Sequence, residues 1–348
     1  MKKTPSILVI NPGSTSTKVA WFEGDKLLEK KIWDHSGQTW TDAGDEEQIR
    51  KRSALIREFL DGRIPDMIMA RGGLLKPLPS GVYEINEKML DDLRKSPYRH
   101  ASNLAAPIAY DLARQFGLKA YIADPVTTDE MQDIARLAGH PAFERRSIFH
   151  ALNHKATARR FAASQGKRYE DLNLIVIHMG GGISVGAHRL GRVVDVNQAL
   201  DGEGPMSPQR SGTLPAGDLV RAAFSGAYTR DQLLKMITGQ GGLKAYTGTE
   251  DVRRLTENPG PKTRLALDAM IYQTAKAAGE MHTVLKGRTD AVLLTGGLAH
   301  SAYIIQGLKP YLEHMAPVHI FPGENEMEAL AYNGHLVWKG EIIPKPYE

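Results

Sequence analysis

The sequence predicts an α/β protein built from two similar halves, and an internal repeat is the first observation that supports this. Residues 8–26 and 175–193 align without gaps, and each reads as an apolar strand, a Gly-rich turn, a second strand and a Gly turn, followed by a third strand. Residues 66–74 (DMIMARGGL) match residues 290–298 (DAVLLTGGL) as an apolar strand that runs into Gly-Gly. Each half therefore begins with a β-meander and later contains a strand that ends at glycines.

Helical patterns between these strands are the second observation. Apolar residues recur at three- and four-residue spacing in the segments 45–60, 101–116, 153–165, 215–224, 262–285 and 327–337. Alternating strands and helices are typical of an α/β fold. Two such halves predict two lobes with a cleft between them.

The bulk composition fits a folded protein and excludes several kinds of chemistry. The chain has 348 residues, 42% hydrophobic and 24% charged, which suits two cores. Its net charge of +4 comes from interspersed charges, so it suits phosphate-bearing ligands better than nucleic acid. Without any cysteine, disulfides, thiolate catalysis and zinc–thiolate sites are excluded.

No hydrophobic segment in the sequence predicts a membrane or secretory role. The apolar run before Asn11 is too short for a signal-peptide core. No stretch reaches the roughly 18 apolar residues needed to cross a bilayer. We therefore expect a cytoplasmic protein that binds neither membrane nor nucleic acid.

The segment Asn11–Lys18, NPGSTSTK, is the first candidate phosphate site. It joins two predicted strands and offers backbone N–H groups, hydroxyls and one lysine, all of which bind phosphate oxygens. It is not a Walker A loop, because there the lysine opens a helix. An ordinary polar hairpin is the alternative.

Two further glycine turns follow apolar strands. His178-Met-Gly180-Gly181-Gly182 is the counterpart of the first loop in the second half, and its three glycines allow close approach of a ligand to the backbone. Gly296 and Gly297 lie at the carboxyl end of a strand, where α/β sheets bind ligands. A plain strand–helix turn is the alternative for the latter pair.

Three charged residues are candidates for the reacting centre. Arg71 ends an apolar strand beside two glycines and can bind a carboxylate or phosphate with both nitrogens. Arg210 lies in a Gly- and Pro-rich loop, a common place for functional residues. Asp124 ends a strand and could hold Mg²⁺ through water. Surface arginines and a turn aspartate remain the alternatives.

The histidines give weaker signals. His150 and His154 lie four residues apart, on one face if helical, but without the glutamate of HExxH they are a poor zinc motif. We interpret His154 as a core or surface histidine. His100 could cap the helical region that follows it instead of touching substrate.

Together these segments resemble the acetokinase family of acetate and butyrate kinases, within the superfamily that includes sugar kinases, heat-shock chaperones and actin. The motifs occur in the family's order from residue 7 to about 331: NPGSTSTK, RGGLL, DPVTTDEM, RRSIFHALNH, HMGGGISV, SGTLP, TGGLA and NEMEALA. The resemblance implies two duplicated actin-like (ribonuclease H-like) lobes, each a mixed β-sheet flanked by helices, with ATP in the interlobe cleft. The implied boundaries are 1–148 plus 326–348 for the first lobe and 149–325 for the second.

The resemblance also implies roles for individual residues. Arg71 and Arg210 match the arginines that flank the transferring phosphoryl group, Asp124 the active-site aspartate and His150 a phosphoryl-contacting histidine; His100 matches another histidine near the substrate. Glu326 matches a glutamate linked to Mg²⁺, which Asn11 and Asp124 would help to hold. The implied nucleotide-binding residues are Asn11, Ser14, Ser16, Lys18, His178, Gly180, Gly181, Gly182, Asp251, Arg253, Gly296 and Gly297.

The implied activity is direct in-line transfer from ATP, with Mg²⁺, to a short-chain fatty acid, by a homodimeric enzyme. Strings such as HASNLAAPIA resemble butyrate and branched-chain fatty-acid kinases more than acetate kinases. Gly181 replaces an asparagine of acetate kinases, and Met327 stands where a second acid often follows the glutamate. Acetate, propionate and isobutyrate remain alternatives to butyrate. A sugar kinase using Asp124 as base, or an actin- or chaperone-like ATPase, is a more distant alternative.

Overall fold

The computed structural model of the protein describes residues 3–13, 15–38, 43–96 and 100–348. Internal contacts group the chain into two compact units, which we call unit 1 (residues 1–128 with 325–348) and unit 2 (residues 129–324). The predicted first boundary lies later, at residue 148. The segment 129–148 packs within unit 2, where the Arg145 guanidinium donates to the carboxylates of Asp195 and Glu203. Such long-range ion pairs leave no local signal in the sequence.

Each unit contains one mixed β-sheet, and the two sheets have related topologies. The strands are β1 (Ser6–Pro12), β2 (Ser16–Glu23), β3 (Lys26–Asp34), β4 (Met67–Arg71), β5 (Val82–Glu84), β6 (Ala120–Ala123), β7 (Asn173–Met179), β8 (Ile183–Arg189), β9 (Arg192–Val196), β10 (Ala291–Gly296) and β11 (Val318–Pro322). The strand order is β3-β2-β1-β4-β6-β5 in unit 1 and β11-β10-β7-β8-β9 in unit 2. In both units an antiparallel meander comes first. The next strand, β4 in unit 1 and β10 in unit 2, pairs in parallel with the first strand of the meander. The predicted α/β class and its internal repeat are confirmed.

Helices flank both sheets. They are α1 (Asp45–Leu60), α2 (Glu87–Lys95), α3 (Ala105–Phe116), α4 (Asp133–Arg136), α5 (Ala151–Ser164), α6 (Ala216–Ala223), α7 (Arg230–Thr238), α8 (Gly242–Thr247), α9 (Val252–Glu257), α10 (Pro261–Val284), α11 (Ala302–Leu312) and α12 (Glu326–Lys339), with 3-10 turns at Ala101–Leu104, Tyr169–Asp171 and Gly297–His300. Each predicted helical segment coincides with one of these, and α1 has the predicted bounds. The prediction missed several, including α2 and α11.

The unit 1 sheet is covered by helices on both faces. Successive residues of a strand point to opposite sides, so they pack against different helices. Leu8 and Ile10 of β1 belong to the core that includes α1 and α3. On the other face α12 packs against β1 and β4. The approach is so close that a Cβ on Gly334 would lie 2.8 Å from Met69 Cγ. This packing fixes the first residue of α12, Glu326, near the carboxyl ends of the central strands.

The unit 2 sheet is arranged in the same way. Ile175 and Ile177 of β7 face the core that includes α10 and α11. Leu174 and Val176, the alternate residues, pack with Phe161 of α5 on the opposite face. Packing of α5 on β7 and β10 places the start of that helix beside the residues that end β7.

Within the described residues, no helix is both long enough and apolar enough to span a membrane.

Candidate active site

Three predicted site residues lie at one edge of the unit 1 sheet. The strands β1, β4 and β6 run in parallel, with Ile10 opposite Ala70 and Arg71 opposite Ala123. Asn11, Arg71 and Asp124 therefore all lie where these strands reach their carboxyl ends. This is the edge at which α/β sheets bind ligands.

Glu326 joins two of these residues into one cluster. Its Oε1 lies 2.7 Å from Arg71 Nη1, and its Oε2 accepts a hydrogen bond from the Asn11 amide. The carboxylate is only 5% exposed, so the two donors replace the water that a buried charge would lose. The sequence proposed these three residues separately, and the structure brings them together at the start of α12.

Asp124 is held in place by its own neighbours. Its Oδ1 accepts hydrogen bonds from the Ser80 hydroxyl (2.6 Å) and the Gly81 N–H (2.9 Å), and the side chain is buried. Its φ of 39° is unusual for a residue other than glycine. The turn that follows β4 packs closely on the residue after Asp124, since a Cβ on Gly72 would lie 2.5 Å from Pro125 Cβ. Backbone strain of this kind clusters at functional sites.

The first candidate phosphate loop is a tight hairpin between β1 and β2. Its ends pair Asn11 with Lys18, and the Gly13 N–H donates to the Ser16 carbonyl at 2.8 Å. Ser16 and Lys18 are half-buried and share one face of β2. Ser14, also predicted to bind phosphate, lies outside the described residues.

His178 and His150 lie together in unit 2. His178 is the second-to-last residue of β7, and its Nδ1 is 3.0 Å from the Asn153 amide oxygen. His150 directly precedes α5, and its ring centroid is 4.3 Å from that of His178. The two predicted residues thus form one cluster at the start of the glycine turn, where the Gly180 N–H donates to the Gly182 carbonyl.

His154 is a buried core residue, which agrees with the interpretation from the sequence. Its Nε2 lies 2.9 Å from Ser184 Oγ, and its Nδ1 lies 3.2 Å from His188 Nε2. His188 Nδ1 is in turn 2.7 Å from the Tyr169 hydroxyl. Burial lowers the pKa of His154 and of His188 well below the usual value; the neighbouring histidines add to this effect at His154, and Lys155 and Arg159 add to it at His188. Both side chains are therefore neutral in the folded protein at neutral pH.

This buried pair predicts acid-sensitive stability. Unfolded histidine binds a proton below about pH 6.5, whereas the folded pair resists it, so stability falls as pH drops through that value. Each histidine contributes up to about 1.4 kcal/mol per pH unit. Urea unfolding of His188→Gln between pH 7.5 and 5.5 should show a shallower pH dependence than wild type. The exposed His314→Asn variant is the control, and equal slopes for all three proteins would contradict the prediction.

A large cavity in unit 2 is lined by five of the twelve predicted nucleotide-binding residues. It has a volume of about 1030 Å³ and is lined by Gly180, Gly181, Asp251, Arg253 and Gly297. Gly296, the residue before Gly297, is not among the lining residues, and its φ of 91° and close approach to the Met179 backbone exclude a side chain there. The prediction missed other lining residues, which include Gln209, Glu250, Thr256, Glu257, His300, Tyr303 and Glu324. These have no phosphate-loop signature, and only the fold places them at the cavity.

Arg210 is half-buried and lies against the second glycine turn. Its Nη1 donates to the Ala199 carbonyl, and its backbone N–H donates to the Ser207 hydroxyl at 3.1 Å. Burial lowers the pKa of its guanidinium from the usual value. Gly182 is packed against it, because a Cβ on Gly182 would overlap the guanidinium. Residue 182 must therefore be a glycine to leave room for the Arg210 guanidinium, and this contact is not evident from the sequence.

Two predicted residues make structural contacts. Asp251 accepts hydrogen bonds from the N–H groups of Arg253 and Arg254 and so caps α9, besides lining the cavity. His100 accepts a hydrogen bond from the Ser102 N–H at the start of the 3-10 turn that precedes α3. This contact of His100 is the capping contact given as the alternative to substrate binding.

The fold is one that a solved small-molecule kinase also has. The structure of acetate kinase from Porphyromonas gingivalis superposes with a TM-score of 0.76 at 17% identity, covering 95% of this chain and 99% of that one. At this identity the likeness establishes the fold. Unit 1 contains the carboxylate–guanidinium cluster of Glu326 and Arg71. Unit 2 contains the cavity that the glycine turns line.

Sequence relatives identify the family. Residues 141–326 match the model of the acetokinase family. The chain is 50% identical to a protein named probable butyrate kinase from Phocaeicola vulgatus, over 98% of this chain and 99% of the relative. It is 46% identical to butyrate kinase 2 of Clostridium acetobutylicum, over the same shares of both chains. The chain belongs to the acetokinase family.

Proposed function

We propose that this protein transfers the γ-phosphoryl group of ATP to a short-chain fatty acid, with butyrate as the preferred acid, to give butyryl phosphate and ADP. The observation that supports this most strongly is the 50% identity, over nearly the full length, to a relative named probable butyrate kinase. The Asn11–Arg71–Glu326 cluster adds the cation that an anionic acceptor requires.

The nucleotide binds in the cavity of unit 2 in this proposal. Its volume of about 1030 Å³ is ample for ATP. The backbone of Gly180 and Gly181 would approach the phosphates, while Asp251, Arg253 and Gly297 would line the adenosine side. His178 and Gly182 would support the phosphate turn, and Gly296 would hold the adenosine turn. Asn11, Ser14, Ser16 and Lys18 of the first loop would contact phosphate oxygens.

The acid acts as its own nucleophile. One carboxylate oxygen attacks the γ-phosphorus, the bond from that phosphorus to the bridging oxygen breaks, and ADP leaves with the electron pair. No strong base is needed, so catalysis depends on positioning and charge neutralisation. Arg71 and Arg210 would offset the repulsion between the two anions, and His150 would donate a hydrogen bond to the equatorial oxygens.

The oxygen-rich residues of unit 1 suit Mg²⁺. Asp124, Glu326 and the Asn11 amide oxygen are hard ligands, and Mg²⁺ usually keeps several waters when it binds proteins. Because the Glu326 oxygens already accept from Arg71 and Asn11, these residues would hold the ion largely through water. When bound, the ion would neutralise charge on the nucleotide phosphates.

The resemblance also supports a cytoplasmic location and a homodimer, and light scattering of the purified protein would test the homodimer. Acetate, propionate and isobutyrate are alternative substrates because one methylene in an apolar pocket discriminates by only about 1–3 kcal/mol. A sugar kinase would instead require Asp124 as a base, and the two proposed arginines, Arg71 and Arg210, favour an anionic acceptor over a hydroxyl.

A substrate panel tests the proposal. Purified protein is incubated with Mg²⁺, ATP and hydroxylamine, together with acetate, propionate, butyrate, isobutyrate or glucose. We expect acyl hydroxamate with the aliphatic acids, the highest kcat/KM with butyrate, and none with glucose. ATP hydrolysis that no acid stimulates would point to an actin- or chaperone-like ATPase, and glucose phosphorylation would point to a sugar kinase.

A further inference from the structure

A fully buried arginine lies beneath the first phosphate loop, outside every motif of the sequence. Arg52 of α1 has no exposed surface and is the largest of the fully buried side chains in the described part of the protein. Arginine is rarely buried in this way unless its donors are satisfied. Its position therefore requires an explanation in terms of what it binds.

The guanidinium of Arg52 binds the loop itself. Its Nη1 donates to the Ser16 carbonyl at 2.8 Å and to the Thr17 hydroxyl at 2.7 Å. Its Nη2 donates to the Gly13 carbonyl at 3.1 Å. One rigid, planar group thus fixes both arms of the hairpin between β1 and β2, as a flexible lysine could not.

His35 extends this support. Its ring Nε2 lies 2.8 Å from the Thr17 hydroxyl, and its backbone N–H donates to the Thr15 carbonyl at 2.7 Å. Burial, with the nearby charge of Arg52, lowers the pKa of His35 from its usual value. Thr17 is therefore bound from both sides by buried groups and has no exposed surface of its own.

The geometry separates this support from the ligand-binding face. Thr17 faces the buried side of β2, while its neighbours Ser16 and Lys18 share the opposite face. By drawing the carbonyls of Gly13 and Ser16 toward itself, Arg52 keeps these negative dipole ends away from a bound phosphate. Its positive charge behind the loop also favours an anion in front of it.

We propose that Arg52 is a positioning residue that holds Gly13, Ser16 and Thr17 of the first phosphate loop in the arrangement that binds phosphate. This inference rests on the proposed function, because it takes the ligand of the loop to be the phosphates of Mg-ATP. Arg52 itself touches no substrate.

Two variants test the inference. Thr17→Val keeps the volume and removes the hydroxyl, and Arg52→Lys keeps the charge but loses the planar fork. We expect kcat/KM for ATP to fall between about tenfold and a hundredfold, because small misplacements of binding groups have effects of this size. KM for butyrate should change less than threefold, and the Kd for Mg-ATP from calorimetric titration should rise.

Two control variants on the same helix separate positioning from stability. Ile56→Val, in the core one turn along α1, lowers stability without touching the loop, and Arg57→Gln removes an exposed charge of α1. Both should keep kcat/KM for ATP within twofold of wild type. If Arg52→Lys does not fold, Thr17→Val decides alone.

The inference is overturned if folded Thr17→Val and Arg52→Lys keep kcat/KM and Kd for ATP within twofold of wild type, or lose no more than Ile56→Val. A wild-type protein that binds Mg-ATP but forms no acyl phosphate would refute the proposed function alone. In that case the Kd values of the variants still decide the role of Arg52. A wild-type protein that does not bind Mg-ATP would refute both.

Discussion

Replacing Arg71 with alanine is expected to lower the rate of acyl phosphate formation by about 10²–10³-fold, the usual effect of losing one group that stabilises transition-state charge. The same change removes the cation beside the buried carboxylate of Glu326, which Arg71 contacts at 2.7 Å. Breaking a buried ion pair commonly costs about 3–5 kcal/mol of stability. Hydroxamate trapping measures the first effect and urea unfolding the second.

A double variant separates these two effects. In Arg71→Ala/Glu326→Gln a neutral amide replaces the carboxylate that has lost its cation, so stability should recover in part while activity stays low. Arg94→Ala, an exposed arginine on α2, is the matched control and should resemble wild type in both measurements. If Arg71→Ala keeps activity within a few-fold of wild type, Arg71 does not act on the phosphoryl group.

Replacing Gly182 with alanine is expected to reduce activity strongly, because the new Cβ would overlap the guanidinium of Arg210 and displace it. Arg210→Ala alone should lower acyl phosphate formation by about 10²–10³-fold if this arginine offsets the charge of the reacting anions. Steady-state kinetics of both single variants gives the two losses.

The double variant Gly182→Ala/Arg210→Ala tests whether the two losses share one cause. With the guanidinium absent, the added methyl group meets less obstruction, so the double variant should be no slower than Arg210→Ala alone. Gly226→Ala, a glycine whose Cβ would meet no atom, is the control for stability, although its positive φ will cost some. Losses that simply multiply in the double variant would show that Gly182 and Arg210 act independently.

Much of the fold is predictable because the spacing of apolar residues and the internal repeat indicate its strands and helices. The internal repeat predicts both meanders and the strands that end at Arg71 and Gly296, and the helical spacing of 45–60 gives α1 its observed bounds. α11 was missed although it has the usual signals, since Ser301 caps it by accepting from the Ile304 N–H. Segment 129–148 packs in unit 2, where Arg145 forms ion pairs with residues 50 and 58 positions further along the chain, and no local pattern reveals this.

The site was predictable where a motif marks it and not where only packing does. Asn11, Arg71 and Asp124 follow apolar strands, so parallel pairing explains why they lie at one edge. The role of Arg52 was invisible, because within a run of basic residues on an amphipathic helix it reads as a surface cation. Likewise, neither the packing of Arg210 against Gly182 nor the histidine pair of the core has a signature in the sequence.

The central claim is that a carboxylate oxygen of the acid attacks the γ-phosphorus of ATP. The most direct test uses butyrate labelled with ¹⁸O in both oxygens, with Mg-ATP and the purified protein, and follows the product by ³¹P NMR. We predict an acyl phosphate whose phosphorus bears one ¹⁸O from the acid, formed in equal amount to ADP. ADP release without acyl phosphate, or a product phosphorus bonded only to ¹⁶O, would contradict it.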